Sequence, residues 1–382
     1  MLLDQLSYIQ FRGEPSSWEL GEFTLGQINL IVGRNSTGKS RLLSVIGSLG
    51  NRFLAGSQDY FHQGEYRVVF HSKGNSWDYT FEFDAAEIVS EKLLHNGEDV
   101  LSRGKGGIGQ IVTYTAEENS VRLKFRAPAK LLSVVSKRDS LQHPYLEPLH
   151  EWANDLRYFR FGDEMSSSKL AFRVTGDQVK LPEPSDKDTD QLTPIFDRAA
   201  KLHGKKLIDI IIDDMEKLGY PISELAIRRP ANVMFRGFLP GEAVGVSVKE
   251  QELAAMTDQT DMSQGMFRSL SLLIQATHYM LSDKTGCILI DDVGEGLDFE
   301  RSCVLIDLIR EKAKKSAFQL IMATNNRFVM NRVPLEEWCY LQRTAGKVRV
   351  RNYSNSKAAF DSFKKTGLNN FDLLATDYLK DS

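Results

Sequence analysis

The stretch that most restricts the fold is "INLIVGRNSTGKSRLLSVIGSLG", residues 28–50. Ile28 to Val32 is a short apolar run rich in branched residues, which reads as a buried strand. Gly33-Arg34-Asn35-Ser36-Thr37-Gly38-Lys39-Ser40 fits G-x4-G-K-[ST], and the apolar period that follows reads as a helix stopping at glycine. Strand, glycine-rich loop and helix in this order form an anion site, because successive backbone N–H groups and a helix N-terminus face the phosphates. Lys39 then reaches the β and γ oxygens of a nucleoside triphosphate, and Ser40 offers its hydroxyl to Mg²⁺.

A second glycine pattern, "GKGGIG" at 104–109, meets G-x-G-x-x-G but is followed by the β-branched "IVTYT" instead of a helix. No helix terminus would face a pyrophosphate there, so it reads as a hairpin loop.

"CILIDD" at 287–292 is a buried strand that ends in two carboxylates, where open α/β sheets put their ligands. Asp291 is the expected Mg²⁺ partner of Ser40. Asp292 is placed to orient or deprotonate an attacking water, with Glu295 as a fallback acid. A helix over Glu300 to Lys315 leads to a further apolar strand, "FQLIMATNN". Upstream, "MSQGMFRSLSLLI" from Met262 places Ser263 at the mouth of a long apolar helix, a position that by itself is N-cap chemistry.

Bulk properties narrow the function. The 382 residues suggest about two domains, and 42% hydrophobic with 26% charged residues is ordinary for a globular protein. A net charge of −3 excludes the whole-chain basic footprint of an obligate nucleic-acid binder, so any such contact is a local patch. Arg122, Lys124, Arg126, Lys130, Lys137 and Arg138 form one candidate, and Arg228, Arg229 and Arg236 another. Cys287, Cys303 and Cys339 lack paired spacing and read as buried thiols in a reducing compartment. The histidines show no metal-ligand spacing. With no secretory leader and no run near the ~18 apolar residues of a membrane span, the chain is expected to be cytoplasmic and free of membrane.

Tyr66 to Phe83 and Ile108 to Phe125 alternate as hairpin strands, implying an antiparallel β layer. Polar, proline-containing "LPEPSDKDTD" at 181–190 suggests a boundary. Leu192 to Leu218 reads as a helical hairpin stopped by Gly219, and a helix-rich stretch is expected after Val246. The expected segments are 1–181, 182–245 and 246–382. Tyr158 and Phe159 read as core strand, Tyr8 as a base-stacking candidate, and Lys347, Arg349 and Arg351 as guards of a sheet edge.

The order phosphate loop, long insertion, "MSQGMFR", "ILIDDVGEGLD" and a strand ending in "ATNN" resembles the ATP-binding-cassette and SMC class of P-loop ATPases. Phe11 and Arg12 in "QFR" are similar to the opening of the SMC and RecF branch. The resemblance implies an α/β ABC-type head with a mixed central sheet, an antiparallel β subdomain and a short inserted helical lobe. It adds Arg12 and Arg41 to the nucleotide-binding set. Ser263, Gln264 and Gly265 become a signature motif acting in trans, Asp298 the D-loop aspartate, and Asn325 the occupant of the switch-histidine position. The implied cofactors are ATP and Mg²⁺.

Two heads of that class face each other head to tail, so a homodimer or higher homo-oligomer is implied, with ATP held between the heads. Three positions depart from the pattern. Asp292 stands where a longer Glu is usual, Asn325 replaces histidine, and Ser36 occupies a frequent Gly position. Slow or partner-stimulated hydrolysis follows. The short globular insertion points to the RecF-like and OLD-like group, including stand-alone ATPases of bacterial anti-phage defence. The final "NNFDLLATDYLKDS" is too little for a nuclease, so a separately encoded effector, nuclease or toxin, is expected, with DNA as a further partner. The alternatives are a nucleotide-gated scaffold with little turnover and a RecF-like repair ATPase.

Overall fold

Two compact units divide the chain, one of residues 1–156, 285–289 and 319–382, the other of residues 157–284 and 290–318. The structure, a computed structural model, describes residues 1–54, 63–115, 119–161, 167–173, 187–233, 241–282 and 284–379. Arg236 and residues 181–186 of the expected boundary lie outside the described residues.

The first unit is built on the strand Ile28–Val32, buried at every residue, as a strand covered on both faces must be. Gln319–Ala323 runs parallel on one side, with Leu320 opposite Ile28 and Ala323 opposite Ile31. Trp338–Thr344 runs parallel on the other, with Tyr340 opposite Val32. The sheet continues through Lys347–Arg351, Trp18–Thr24 and Leu2–Gln10 into an antiparallel meander, Gln63–Ser72, Asn75–Asp84, Glu87–His95, Glu98–Arg103, Ile108–Tyr114 and Ser120–Arg126. The expected mixed sheet and antiparallel β region are therefore both present. "GKGGIG" is the link between antiparallel strands, as its sequence implies.

The meander's inner face is aromatic because residues at period two share a face. Tyr66 stacks on Phe81 at 4.9 Å, and Phe70 meets Trp152 edge-on at 4.8 Å. The helix Lys39–Arg52 turns Leu42, Leu43, Ile46 and Leu49 into this core. A buried polar knot ties the meander to the following segment: Glu91 accepts from Ser133 N at 2.7 Å, Val134 N at 3.0 Å and Tyr79 Oη at 2.7 Å, with Arg103 3.6 Å away.

In the second unit the helices Leu192–His203 and Lys205–Lys217 form the expected hairpin, turned at Gly204 (φ 58°) and ended by Gly219 (φ 80°). Both pack on the long helix Gln264–Leu281, which packs in turn on Phe299–Lys314. Lys312 and Asp214 form a buried ion pair of 2.6 Å between two of these helices. The stretch after Val246 is not helix-rich: Glu242–Glu250 is a strand, followed by the short strand Thr257–Asp258. Its β-branched alternation, "AVGVSV", outweighs helical period. A boundary at 245/246 thus cuts a strand that pairs on both sides, with Ile222–Arg228 and with Ala171–Arg173. Among the described residues no helix is long and apolar enough to cross a membrane.

Candidate functional site

The phosphate loop leaves the carboxyl end of Ile28–Val32 and closes on the N-terminus of Lys39–Arg52. Ser36 (φ 64°) and Gly38 (φ 106°) take left-handed backbone, which curls the loop's N–H groups inward. Gly33 is required by space, since a Cβ there would stand 2.7 Å from Thr37 Oγ1 and 3.0 Å from Leu341 O. Gly38 lies against Trp18, a Cβ at 38 meeting Cζ2 at 3.2 Å. Lys39 is buried, and its ammonium donates to Gly33 O at 3.0 Å and Arg34 O at 3.3 Å. These bonds hold a desolvated cation within the loop, where a phosphate oxygen would compete for it.

The parallel register brings the end of Gln319–Ala323 beside the same loop. Thr324 N donates to Ile31 O at 3.4 Å, and exposed Asn325 follows directly. Asn326 caps the next helix, its Oδ1 accepting from Phe328 N at 2.9 Å. Asn325 is thereby left as the polar side chain at the strand end.

In the second unit Asp291 closes the strand Cys287–Asp291 and is buried. Its backbone carbonyl accepts from Phe161 N at 3.1 Å, and Tyr158 Oη stands 3.5 Å from its carboxylate. Tyr158 comes from a strand some 130 residues away in sequence, so nothing near Asp291 in the chain announces it. Phe159 is fully buried, as expected for core strand. Asp292 has φ 53°, a left-handed conformation that costs most residues about 1 kcal/mol but that Asp and Asn tolerate. This kink turns the chain away from the strand axis immediately after Asp291. Ser40 and Asp291 both offer oxygen, the donor type Mg²⁺ takes. No group of three or more His, Cys, Asp or Glu stands together among the described residues, and Mg²⁺ on a nucleotide needs only one or two protein oxygens.

Ser263 is the N-cap of Gln264–Leu281, its Oγ accepting from Met266 N at 3.2 Å. Ser263 and Gln264 are exposed, whereas Gly265 is buried against the turn after Asp292. A Cβ at 265 would lie 2.9 Å from Leu297 Cδ2 and 3.3 Å from Gly296 O. The stretch expected to be a signature motif and the turn expected to be a D-loop are therefore packed together in one chain. Asp298 caps the helix Phe299–Lys314, accepting from Arg301 N at 2.9 Å and from the Arg301 guanidinium at 2.6 Å. These bonds, the backbone one foremost, hold its carboxyl below the usual Asp range. Glu295 lies in the same turn, its N–H donating to Asp292 O at 3.1 Å.

Other expected residues lie apart from these motifs or take different partners. Arg12 forms an exposed ion pair of 2.5 Å with Glu65. Arg41 stacks on Trp18 at 4.3 Å and donates to Gln10 Oε1 at 2.5 Å. Tyr8 is not a base platform: it is buried between Tyr66, at 4.5 Å, and Trp18, at 6.0 Å, so no ring face is open. Lys347, Arg349 and Arg351 guard no edge, because their strand lies inside the sheet. Cys303 is half-buried, unlike Cys287 and Cys339.

Arg122, Lys124 and Arg126 are exposed on one face of the edge strand Ser120–Arg126, with Arg122 3.6 Å from Asp99. Arg228 and Arg229 are exposed at the end of Ile222–Arg228. Arg34, assigned to the nucleotide, pairs with Asp377 at 2.7 Å and helps line a cavity of about 600 Å³ with Thr37, Tyr340 and Arg343. Burial, with Asp377 adding to it, pushes the Tyr340 phenol up to about 12. This contact was invisible in the sequence.

No family model matches the chain, and no curated protein does. Solved structures do. One is an SMC head bound to the C-winged helix domain of ScpA, 12% identical with a TM-score of 0.55, covering 94% of this chain and 100% of that one. The fold is that of an SMC head domain. A second, an SMC head with an extended coiled coil bound to the C-terminal domain of ScpA derived from Pyrococcus furiosus, is 11% identical with a TM-score of 0.50, covering 96% and 99%. SMC heads have the ABC-type ATPase fold, in agreement with the resemblance carried by the motifs.

Proposed function

We propose that the protein binds and slowly hydrolyses ATP, and that two copies close head to tail around it. The observation that carries this is the pairing of a complete phosphate loop at a parallel strand end with an exposed Ser263 at a helix N-terminus packed on the D-loop turn. Gly33 to Ser40 hold the phosphates, with Arg41 and Arg12 on the flanks and Lys39 on the β and γ oxygens. Ser40 and Asp291 supply protein oxygens to Mg²⁺, which neutralises phosphate charge when bound. Asp292 orients or deprotonates the water, and Asn325 hydrogen-bonds near it without titrating. Ser263 already accepts from Met266 N, which leaves its O–H free to donate to a γ-phosphate held by the partner copy, with Gln264, Gly265 and Asp298 shaping that face.

Asp292 and Asn325 underlie the slow, partner-stimulated turnover in this reading. Nucleotide state then controls a separately encoded effector, nuclease or toxin, in a cytoplasmic anti-phage complex. In favour of a bound second protein is the fact that both SMC head neighbours carry a ScpA domain. Nucleic acid enters as a second reading, favoured by Arg122, Lys124 and Arg126 lying exposed on one strand face. Nucleotide affinity and turnover of Lys39→Ala and Asp292→Asn test the chemistry. Lys39→Ala should weaken ATP about 10- to 100-fold, the loss of a charge-assisted hydrogen bond. Asp292→Asn should keep ATP and lose turnover. Unchanged affinity in the first, or unchanged turnover in the second, contradicts the assignment.

A further inference from the structure

Tyr220 joins the helical hairpin, the signature stretch and the D-loop through a single ring. It follows Gly219, and its N–H donates to Met215 O at 2.9 Å, which ties it to the end of the hairpin helix Lys205–Lys217. The guanidinium of Arg301 lies 4.3 Å over its ring. That guanidinium also donates to Asp298 Oδ2 at 2.6 Å and to Gly219 O at 3.1 Å. The Tyr220 hydroxyl stands 3.2 Å from where a Cβ on Gly265 would be, against the first turn of Gln264–Leu281.

The arrangement contributes little to stability. Asp298 and Arg301 keep 51% and 35% of their side-chain surface exposed, and exposed ion pairs and cation–π contacts are worth little on a free surface. What it does is fix direction. Arg301 is held from above by the ring and from two sides by acceptors, so the Asp298 carboxylate and the first turn of the helix Gln264–Leu281 share one geometry.

We infer that Tyr220 is a positioning residue that sets Asp298 and the signature turn for the nucleotide of the partner copy. The inference rests on the head-to-tail reading above. It also makes the hairpin the element whose displacement would alter that face, since Tyr220 moves with Met215 and Gly219.

The test compares Tyr220→Ala and Tyr220→Phe in the full chain. Carbon-detected NMR titration of Asp298 reads positioning without any dimer. Releasing the Arg301 side chain in Tyr220→Ala should raise the Asp298 pKa part of the way toward the ordinary value, while the ring of Tyr220→Phe should hold it down. In the Asp292→Asn background with ATP and Mg²⁺, Tyr220→Ala should weaken association about tenfold, because each dimer loses two such stacks, while Tyr220→Phe, which keeps the ring on Arg301 and loses only the hydroxyl at Gly265, should recover most of it. ATP affinity, a property of the other unit's loop, should not move.

An unshifted Asp298 titration in Tyr220→Ala overturns the inference whatever the association does. Association equal to that of Asp292→Asn alone overturns it as well. If Asp292→Asn alone fails to associate on ATP, the head-to-tail reading has failed and takes the inference with it.

Discussion

Gly265, in the first turn of Gln264–Leu281, and Leu297, in the turn after Asp292, are in contact, at a separation where a single added methyl group would stand 2.9 Å from Leu297 Cδ2. The methyl in Gly265→Ala must displace Leu297 Cδ2, the Tyr220 hydroxyl at 3.2 Å or the Gly296 carbonyl at 3.3 Å, and Gly296 is itself held at φ 78°, a conformation that favours glycine. The expected outcome is loss of ATP-driven association and turnover with ATP affinity retained, measured by sedimentation and calorimetry. Normal association in Gly265→Ala would separate the two motifs functionally.

Asp298 supplies a pH test with a defined sign. Its folded pKa is depressed by the Arg301 backbone and side-chain bonds, so its stabilising contribution is present above the ordinary Asp range. That contribution is lost as pH falls through the lower folded value. Arg301→Ala, which keeps the backbone bond, should raise the NMR-detected pKa without restoring it fully. A titration at the ordinary value of ~3.9 in the unsubstituted protein would show that the cap does not form in solution.

The buried pair Lys312–Asp214 predicts a stability effect remote from nucleotide. Lys312→Met strands the Asp214 carboxylate, whose pKa burial already pushes up, and should cost about 3 kcal/mol, or roughly 4 °C in melting temperature for a chain of this length. A carboxyl with a raised folded pKa loses stability as pH rises through that value, so the deficit should be smaller in acid than in base. Lys312→Met with Asp214→Asn should recover part of it. Equal melting of Lys312→Met and the unsubstituted chain at neutral pH would contradict the burial of the pair.

The legible part of this molecule was what is local in sequence. The phosphate loop could be read because its strand, glycines, lysine and helix are consecutive, and the hairpin 192–218 because its helical period runs up to a stop at Gly219, while the turn at Gly204 came only with the structure. Glu87–His95 and Glu98–Arg103 went unread although Asn96-Gly97, at φ 53° and 84°, is a strong tight-turn signal. Mixed "EIVSEKLLH" hides its alternation, because Glu91 points inward to a hydrogen-bond knot instead of outward. Tyr158 near Asp291, Trp18 under Gly38 and Asp377 on Arg34 join residues far apart in the chain, and no spacing encodes such pairs. Tyr8 was misread for the same reason: its burial is decided by Tyr66 and Trp18, each a neighbour only after the sheet forms.

The most direct test of a trans role for Ser263 is the mass in solution of the Asp292→Asn protein with ATP and Mg²⁺, beside the same protein carrying Ser263→Arg. Asn tolerates the left-handed turn at 292, and on the proposed role of Asp292 the substitution should slow turnover and prolong the ATP-bound state. Ser263→Arg blocks the exposed helix N-terminus while leaving the phosphate loop intact. The expected result is ATP-driven doubling of mass that Ser263→Arg abolishes while ATP still binds. A mass indifferent to both ATP and Ser263 would contradict the head-to-tail assembly and leave Ser263 as the cap of its own helix.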